Sequence, residues 1–158
     1  MIYTYFDSPL GNIRIVSDGE KITDFGFVGQ KHLKNVPTDW KEEPDHKLLK
    51  KAQKQAEEYF SGKRKDFDLP LSPQGTKFQQ KVWKALLEIP FGQVSTYGKI
   101  AKQIGNPKGV RAVGGAIGRN PIGIIIPCHR VIGTNGTLTG FASGLDRKQS
   151  LLEIEGVL

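Results

Sequence analysis

Apolar and polar positions alternate along residues 1–27. Ile2, Tyr5-Phe6, Ile13, Ile15, Phe25 and Phe27 fall in short runs, broken by Ser8-Pro9-Leu10-Gly11-Asn12 and Asp18-Gly19-Glu20. Alternation between turn-forming breaks predicts a small antiparallel meander. Residues 31–44 are polar and irregular, and predict an exposed loop. Leu48, Leu49, Ala52, Ala56, Tyr59 and Phe60 keep helical spacing, and Gly62 follows as a stop. Residues 63–69 predict one more edge strand. Nothing in this first part offers site chemistry, so its expected role is support.

Leu69-Pro70-Leu71-Ser72-Pro73-Gln74-Gly75 reads as a linker, dividing the chain into 1–75 and 76–158. Beyond it the period becomes helical. Thr76 and Gln79 can form a capping box, and Phe78, Val82, Leu86 and Ile89 mark one face of a helix ending before Pro90. Ser95 or Thr96 can cap a second helix carrying Tyr97, Ile100, Ala101 and Ile104, stopped by Gly105. A third helix runs from Lys108 through Val110, Val113 and Ile117. Short helices joined by a glycine-containing turn predict a helix-turn-helix. The third helix holds Gly114, Gly115 and Gly118. Each interior glycine costs about 1 kcal/mol relative to alanine, and close backbone approach is the usual reason to keep one. The approaching surface is a neighbouring helix, a DNA backbone, or both on different faces.

Ile122-Gly123-Ile124-Ile125-Ile126 predicts a short buried strand or extended segment. It leads into Pro127-Cys128-His129-Arg130, which holds the only cysteine. The thiolate is the nucleophilic form of cysteine, and cationic neighbours favour it. A histidine can take the thiol proton, with a carboxylate holding its tautomer. Asp146, Glu153 and Glu155 are the only carboxylates after Cys128, and spacing does not choose among them. On an extended chain Cys128 and His129 would point to opposite faces. Residues 133–144 are small and turn-forming. Lys148, Leu151, Leu152 and Ile154 predict a terminal helix stopped by Gly156.

A chain of 158 residues suits one ordinary domain or two small ones packed together. One cysteine excludes an internal disulfide and a zinc site built on several cysteines. Residues 122–126 are the longest apolar stretch, far too short to span a bilayer. Met1 to Gly11 has no basic segment followed by an apolar one, so no secretory signal is expected. A reduced, cytoplasmic protein without a membrane contact is the expectation. Charge sharpens this. The chain carries +7 overall; residues 1–75 hold 12 basic and 12 acidic side chains, and residues 76–158 hold 11 and 4. The whole excess sits with the helix-turn-helix and the cysteine, which points to a polyanion partner.

The second part resembles the O6-alkylguanine-DNA alkyltransferase family. The resemblance rests on Pro127-Cys128-His129-Arg130-Val131-Ile132, Arg111-Ala112-Val113-Gly114-Gly115-Ala116, Asn120-Pro121, Gly144-Leu145, Leu151-Leu152 and Glu155-Gly156. It covers residues 76–158 throughout; the first part matches the family's N-terminal domain in size and layout. The fold it implies is α+β: a small antiparallel sheet with a helix, ribonuclease H-like, then a mostly helical, winged-helix-like domain.

The implied activity is irreversible transfer of an alkyl group from O6-alkylguanine in double-stranded DNA to Cys128, once per molecule. By resemblance His129 acts as base through a water, Glu155 orients it, Asn120 braces the turn carrying the cysteine, and Tyr97 donates to the base. Arg111 fills the gap left by the flipped nucleotide, and Thr96, Ala112, Gly114 and Gly115 belong to the DNA-contacting surface. Val131, through its carbonyl, and Phe141, Ala142 and Ser143 form the base pocket. Phe141 and Ser143 stand where tyrosine and glycine are frequent in the family. The resemblance implies no cofactor, no metal and a monomer. A cysteine hydrolase, or a binding-only module for alkylated bases, is the competing reading.

Overall fold

Three strands open the chain: β1 (Ile2–Ser8), β2 (Gly11–Ser17) and β3 (Ile22–Phe27). They form the expected antiparallel meander, with register running from Ile2↔Ser17 to Ser8↔Gly11 and from Ile13↔Phe27 to Ser17↔Ile22. The computed structural model describes all 158 residues. The first hairpin is closed by Ser8, whose Oγ donates to the Gly11 carbonyl at 2.6 Å, while Gly11 takes φ +135°, a conformation that glycine alone adopts readily.

Two expectations for the edge of this sheet are corrected. Residues 63–69 form no strand. The Gln55 carboxamide takes up the backbone there, accepting from Asp68 N at 2.9 Å and donating to Asp68 O at 3.1 Å. The chain meets the sheet only at Leu71, which bridges Ile22. The fourth strand lies instead in the stretch expected to be loop. It is β4 (Lys41–Glu42), parallel to β1, and the sheet order is β3-β2-β1-β4. Helix α1 (Lys47–Phe60) lies on β1 and β2 and buries Leu49, Ala52, Gln55, Ala56 and Tyr59.

The helices of the second part match their local signals. α2 (Lys77–Leu86) starts with the Thr76–Gln79 capping box. α3 (Tyr97–Gln103) is capped by Thr96, whose side chain accepts from Lys99 N, and the chain leaves it through Gly105 at φ +78°. α4 (Val110–Gly118) follows, packed on α2 and α3. Trp83 Nε1 donates to the Ala116 carbonyl at 2.9 Å and fixes α2 against α4. β5 (Ser95–Thr96) and β6 (Val131–Ile132) pair in parallel, and α5 (Leu145–Ile154) closes the chain.

Residues 122–126 are not a strand. Ile122 bridges Phe25, but the rest is a tight turn, with Ile126 N bonded to Ile122 O and Ile124 at φ +67°. Apolar content alone does not separate a buried turn from a buried strand. Asn120 decides it: its Oδ1 accepts from Ile122 N at 3.0 Å and its Nδ2 donates to Ile126 O at 2.8 Å. The Phe25–Ile122 bridge joins the two parts of the chain. Ile13, Phe25, Tyr59, Trp83, Val113, Ile126 and Leu151 belong to one continuous buried cluster.

Candidate active site

Pro127 turns the chain into a single 3₁₀ turn, Cys128–Arg130. The local conformation is therefore not extended, and the three side chains fan out around one turn. All three are buried, with His129 fully covered. Cys128 lies in a pocket lined also by Tyr97, Gly114, Ile117, Asn120, Phe141, Ala142 and Ser143. These include five residues expected at the site or its pocket. Val131 is not among the lining residues; its carbonyl accepts from Lys148 Nζ at 2.6 Å.

Of the three candidate carboxylates, Glu155 is the one brought to His129. Its Oε2 lies 2.6 Å from His129 Nε2, and Asp146 and Glu153 are exposed. Arg130 turns toward the same carboxylate, donating Nε to Oε1 at 2.7 Å and Nη2 to Oε2 at 3.1 Å, and Nη1 to the Ile89 carbonyl at 2.6 Å. Tyr59 Oη donates to Oε2 at 2.6 Å. Burial alone would raise the Glu155 carboxyl, but the hydrogen bonds from His129, Arg130 and Tyr59 outweigh it and hold it at about 2. Glu155 is ionised at neutral pH and accepts from His129 Nε2–H. Burial pushes His129 below its ordinary value despite the pull of Glu155, so the ring is neutral. Its Nδ1 is then the free lone pair, and it meets no hydrogen-bond partner within the chain.

Burial raises the Cys128 thiol, and the Asn120 side chain and the Lys148 charge act against that rise. Arg130 is not the cation that serves the thiol, contrary to what its place in the sequence implies; it is committed to Glu155. Lys148 takes that position from α5. It is fully covered, and burial lowers it to about 8. Its Nζ sits 6.0 Å from the Tyr97 ring centre and 5.8 Å from that of Phe141. Tyr97 Oη receives Thr139 Oγ1 at 2.8 Å, which leaves the phenol proton free to donate.

The outer face of α4 carries Arg111, Ala112 and Gly115, all exposed. A side chain at Gly115 or Gly118 would meet no atom of the chain, and one at Gly114 would only touch the Tyr97 ring at 3.8 Å. Helix packing therefore does not explain Gly115 or Gly118; Gly115 lies on the exposed face, and Gly118 lines the pocket that holds Cys128. Lys77, Lys81, Lys84, Lys99, Lys102, Lys108, Arg111 and Arg119 are exposed on α2 to α4 and their flanks. Thr96 is half-buried and serves as the cap of α3.

The first part of the chain contributes more than support. Phe25, Gly26, Phe27 and Gln30 line the pocket, and Tyr59 reaches Glu155. Sequence patterning assigns Tyr59 and Phe25 to the core, where they also belong, and no local signal marks the second role. Lys148 did leave a signal: a lysine on the apolar stripe that includes Leu151 and Leu152.

Fold and site together define a protein with one buried thiol beside a histidine–carboxylate pair, set behind helices with an exposed cationic face. Residues 77–157 match the model of the 6-O-methylguanine DNA methyltransferase DNA binding domain, and residues 1–73 that of the family's ribonuclease-like domain. A methylated-DNA–protein-cysteine methyltransferase of Methanosarcina acetivorans is 53% identical over 99% of each chain. One from Haemophilus influenzae is 48% identical over 99% of this chain and 87% of its own. The crystal structure of Mycobacterium tuberculosis OGT in complex with DNA superposes with a TM-score of 0.91 at 45% identity, covering 98% of this chain and 92% of that one. The chain belongs to the 6-O-methylguanine DNA methyltransferase family.

Proposed function

We infer that this protein repairs DNA by moving the alkyl group of an O6-alkylguanine onto its own Cys128. The observation that carries this is the single thiol in a pocket, beside a neutral histidine whose far nitrogen is fixed on a buried carboxylate. O6 is out of reach in a stacked duplex, so the base must swing out of the helix. Residues 76–158 hold and open the DNA, and residues 1–75 complete the pocket. The exposed cations hold the phosphates without reading sequence, Ala112 and Gly115 let the α4 backbone lie close to the groove, and Arg111 occupies the space the base leaves. Thr96 holds the start of α3 on the same face.

In the pocket the base lies against Phe141, Ala142 and Ser143; the Val131 carbonyl, one lone pair of which is taken by Lys148, serves as an acceptor for its amine only through the other, once the base is seated. The thiol proton passes through one water to His129 Nδ1. A bond then forms between Sγ and the alkyl carbon as the carbon–O6 bond breaks, and its electron pair stays on guanine. The Tyr97 hydroxyl donates a hydrogen bond to the base as that charge develops; the guanine anion then takes up one proton from solvent and His129 gives back the one it received from the thiol, so no net proton is gained or lost. Asn120 keeps the Cys128 turn closed. The thioether has no group beside it able to reverse the step, so one molecule repairs one lesion. The reaction needs no cofactor. We place it in the cytoplasm, where Cys128 stays reduced, with the protein acting as a monomer.

Intact-mass measurement after mixing with O6-methylguanine DNA tests the reading. One methyl group added to the wild type and none to Cys128→Ala is the expected result. Tight binding with no mass change, or repeated turnover of a thioester, would overturn it.

A further inference from the structure

Tyr59 stands apart from the other groups around Glu155, because it comes from α1 in the first part of the chain. Its ring is 1% exposed and wedged among Phe60, Phe67 and Phe91, with centroids 5.5, 5.5 and 6.2 Å away. A phenylalanine would fill this wedge equally well. What the hydroxyl adds to the ring is one hydrogen bond, donated to Glu155 Oε2 at 2.6 Å.

We propose that Tyr59 is a positioning residue for alkyl transfer, setting the basicity of His129 through the Glu155 oxygen that both side chains share. The inference rests on the alkyl-transfer reading above. Oε2 receives three donors: Tyr59 Oη, His129 Nε2 and Arg130 Nη2. They divide the charge of one oxygen. While Tyr59 holds its share, Oε2 pulls less strongly on the imidazole proton, and the ring stays neutral to lower pH. Without the hydroxyl, more of that charge faces His129 and favours imidazolium.

The other groups facing the ring push the same way as Tyr59. Arg130 on the 3₁₀ turn and Lys148 on α5 are cations that disfavour a second positive charge, and Cys128 is a neutral thiol held up by burial. Tyr59 itself keeps its proton, because burial beside the Glu155 charge moves its hydroxyl far above the ordinary range.

The test is the pH dependence of methyl transfer by Tyr59→Phe, with the His129 ring titrated separately by nitrogen NMR in the absence of DNA. His129 must be neutral to accept the thiol proton, so its protonation sets the acid limb. The acid limb and the ring titration should both move up by about half to one pH unit. Ala56→Gly, which loosens the same helix, should lower Tm without moving either. If Tyr59→Phe does not fold, 3-fluorotyrosine at position 59 gives the second reading. It is a stronger donor and should move both downward. Profiles that overlay the wild type, or shifts of opposite sign, overturn the proposal. Failure of the wild type to gain a methyl group overturns the underlying reading instead, so the two failures are told apart.

Discussion

Replacing Glu155 by glutamine keeps the shape of the side chain and removes its charge. The carboxylate is fully covered and accepts four hydrogen bonds, from Tyr59, His129 and twice from Arg130. An amide offers one oxygen, and its NH2 would face donors. Arg130 is 7% exposed, so its charge would stay buried without a counterion. Removing one partner of a buried pair costs about 3–5 kcal/mol. A second route gives a similar figure: moving a carboxyl from 4.5 to about 2 on folding stabilises the folded state by about 3 kcal/mol at pH 7. His129, Arg130 and Tyr59 all contribute to this through their hydrogen bonds to the carboxylate. For a chain of this size each kcal/mol is worth about 2–4 °C. Thermal unfolding of Glu155→Gln, followed by circular dichroism at pH 7, should therefore show Tm lower by about 6–20 °C. Adding Arg130→Met should recover part of the loss, since it removes the stranded cation. Methyl transfer by the folded variant should slow by about 10²–10⁴-fold, because the tautomer of His129 is no longer held. A Tm within about 3 °C of wild type would refute the claim that this carboxylate neutralises a buried guanidinium.

Gly115→Ala should raise Tm by about 2–4 °C, since the helix gains about 1 kcal/mol and the new methyl meets nothing in the chain. The same variant should bind duplex DNA more weakly in a fluorescence titration; unchanged binding would remove Gly115 from the interface. Arg111→Ala should slow repair of duplex DNA while sparing reaction with a free O6-alkylguanine compound, and equal loss on both would mean that Arg111 takes no part in opening the duplex. Stability should fall as pH drops through 6.5, where His129 binds a proton in the unfolded chain but not in the folded one. It should fall again from 4.5 toward about 2 for the same reason at Glu155. Urea midpoints across this range check both, and the second fall should be smaller in Glu155→Gln, where only other lowered carboxyls such as Asp18 remain.

Local signals carried most of the secondary structure. The capping box at Thr76, the Thr96 cap and the stop at Gly105 each depend on side chains within a few residues of the helix end, and each is where the sequence places it. Two of the errors fall where a side chain takes over the backbone that a strand partner would otherwise hold. Gln55 satisfies Asp68 in place of a strand partner, and Asn120 folds residues 122–126 into a turn. The chemistry around Cys128 was legible because His129 is adjacent in sequence and the carboxylates after it are few. Lys148 was visible only as a polar residue on an apolar stripe. Tyr59 was not visible at all, because a residue with an apolar ring at a helical core position reads as packing, and its partner lies 96 residues away.

That long-range hydrogen bond belongs to a wider pattern. Phe25 N donates to Pro121 O at 2.9 Å, and Gly123 N donates to Phe25 O at 2.8 Å, so β3 holds one end of the turn that leads to Cys128. Lys31 N donates to Ala142 O at 3.0 Å, and Arg147 joins the Leu10 and Ser143 carbonyls while its guanidinium lies 4.3 Å from the Phe27 ring centre. The pocket loop, the cysteine turn and the carboxylate are thus each fastened to the first part of the chain. The net charge divides sharply between the two parts, but the site does not. DNA binding needs an exposed cationic face, which α2 to α4 supply locally. A neutral imidazole and a shielded thiol need depth, and 83 residues built mainly of short helices provide too little of it without the sheet and α1 behind them.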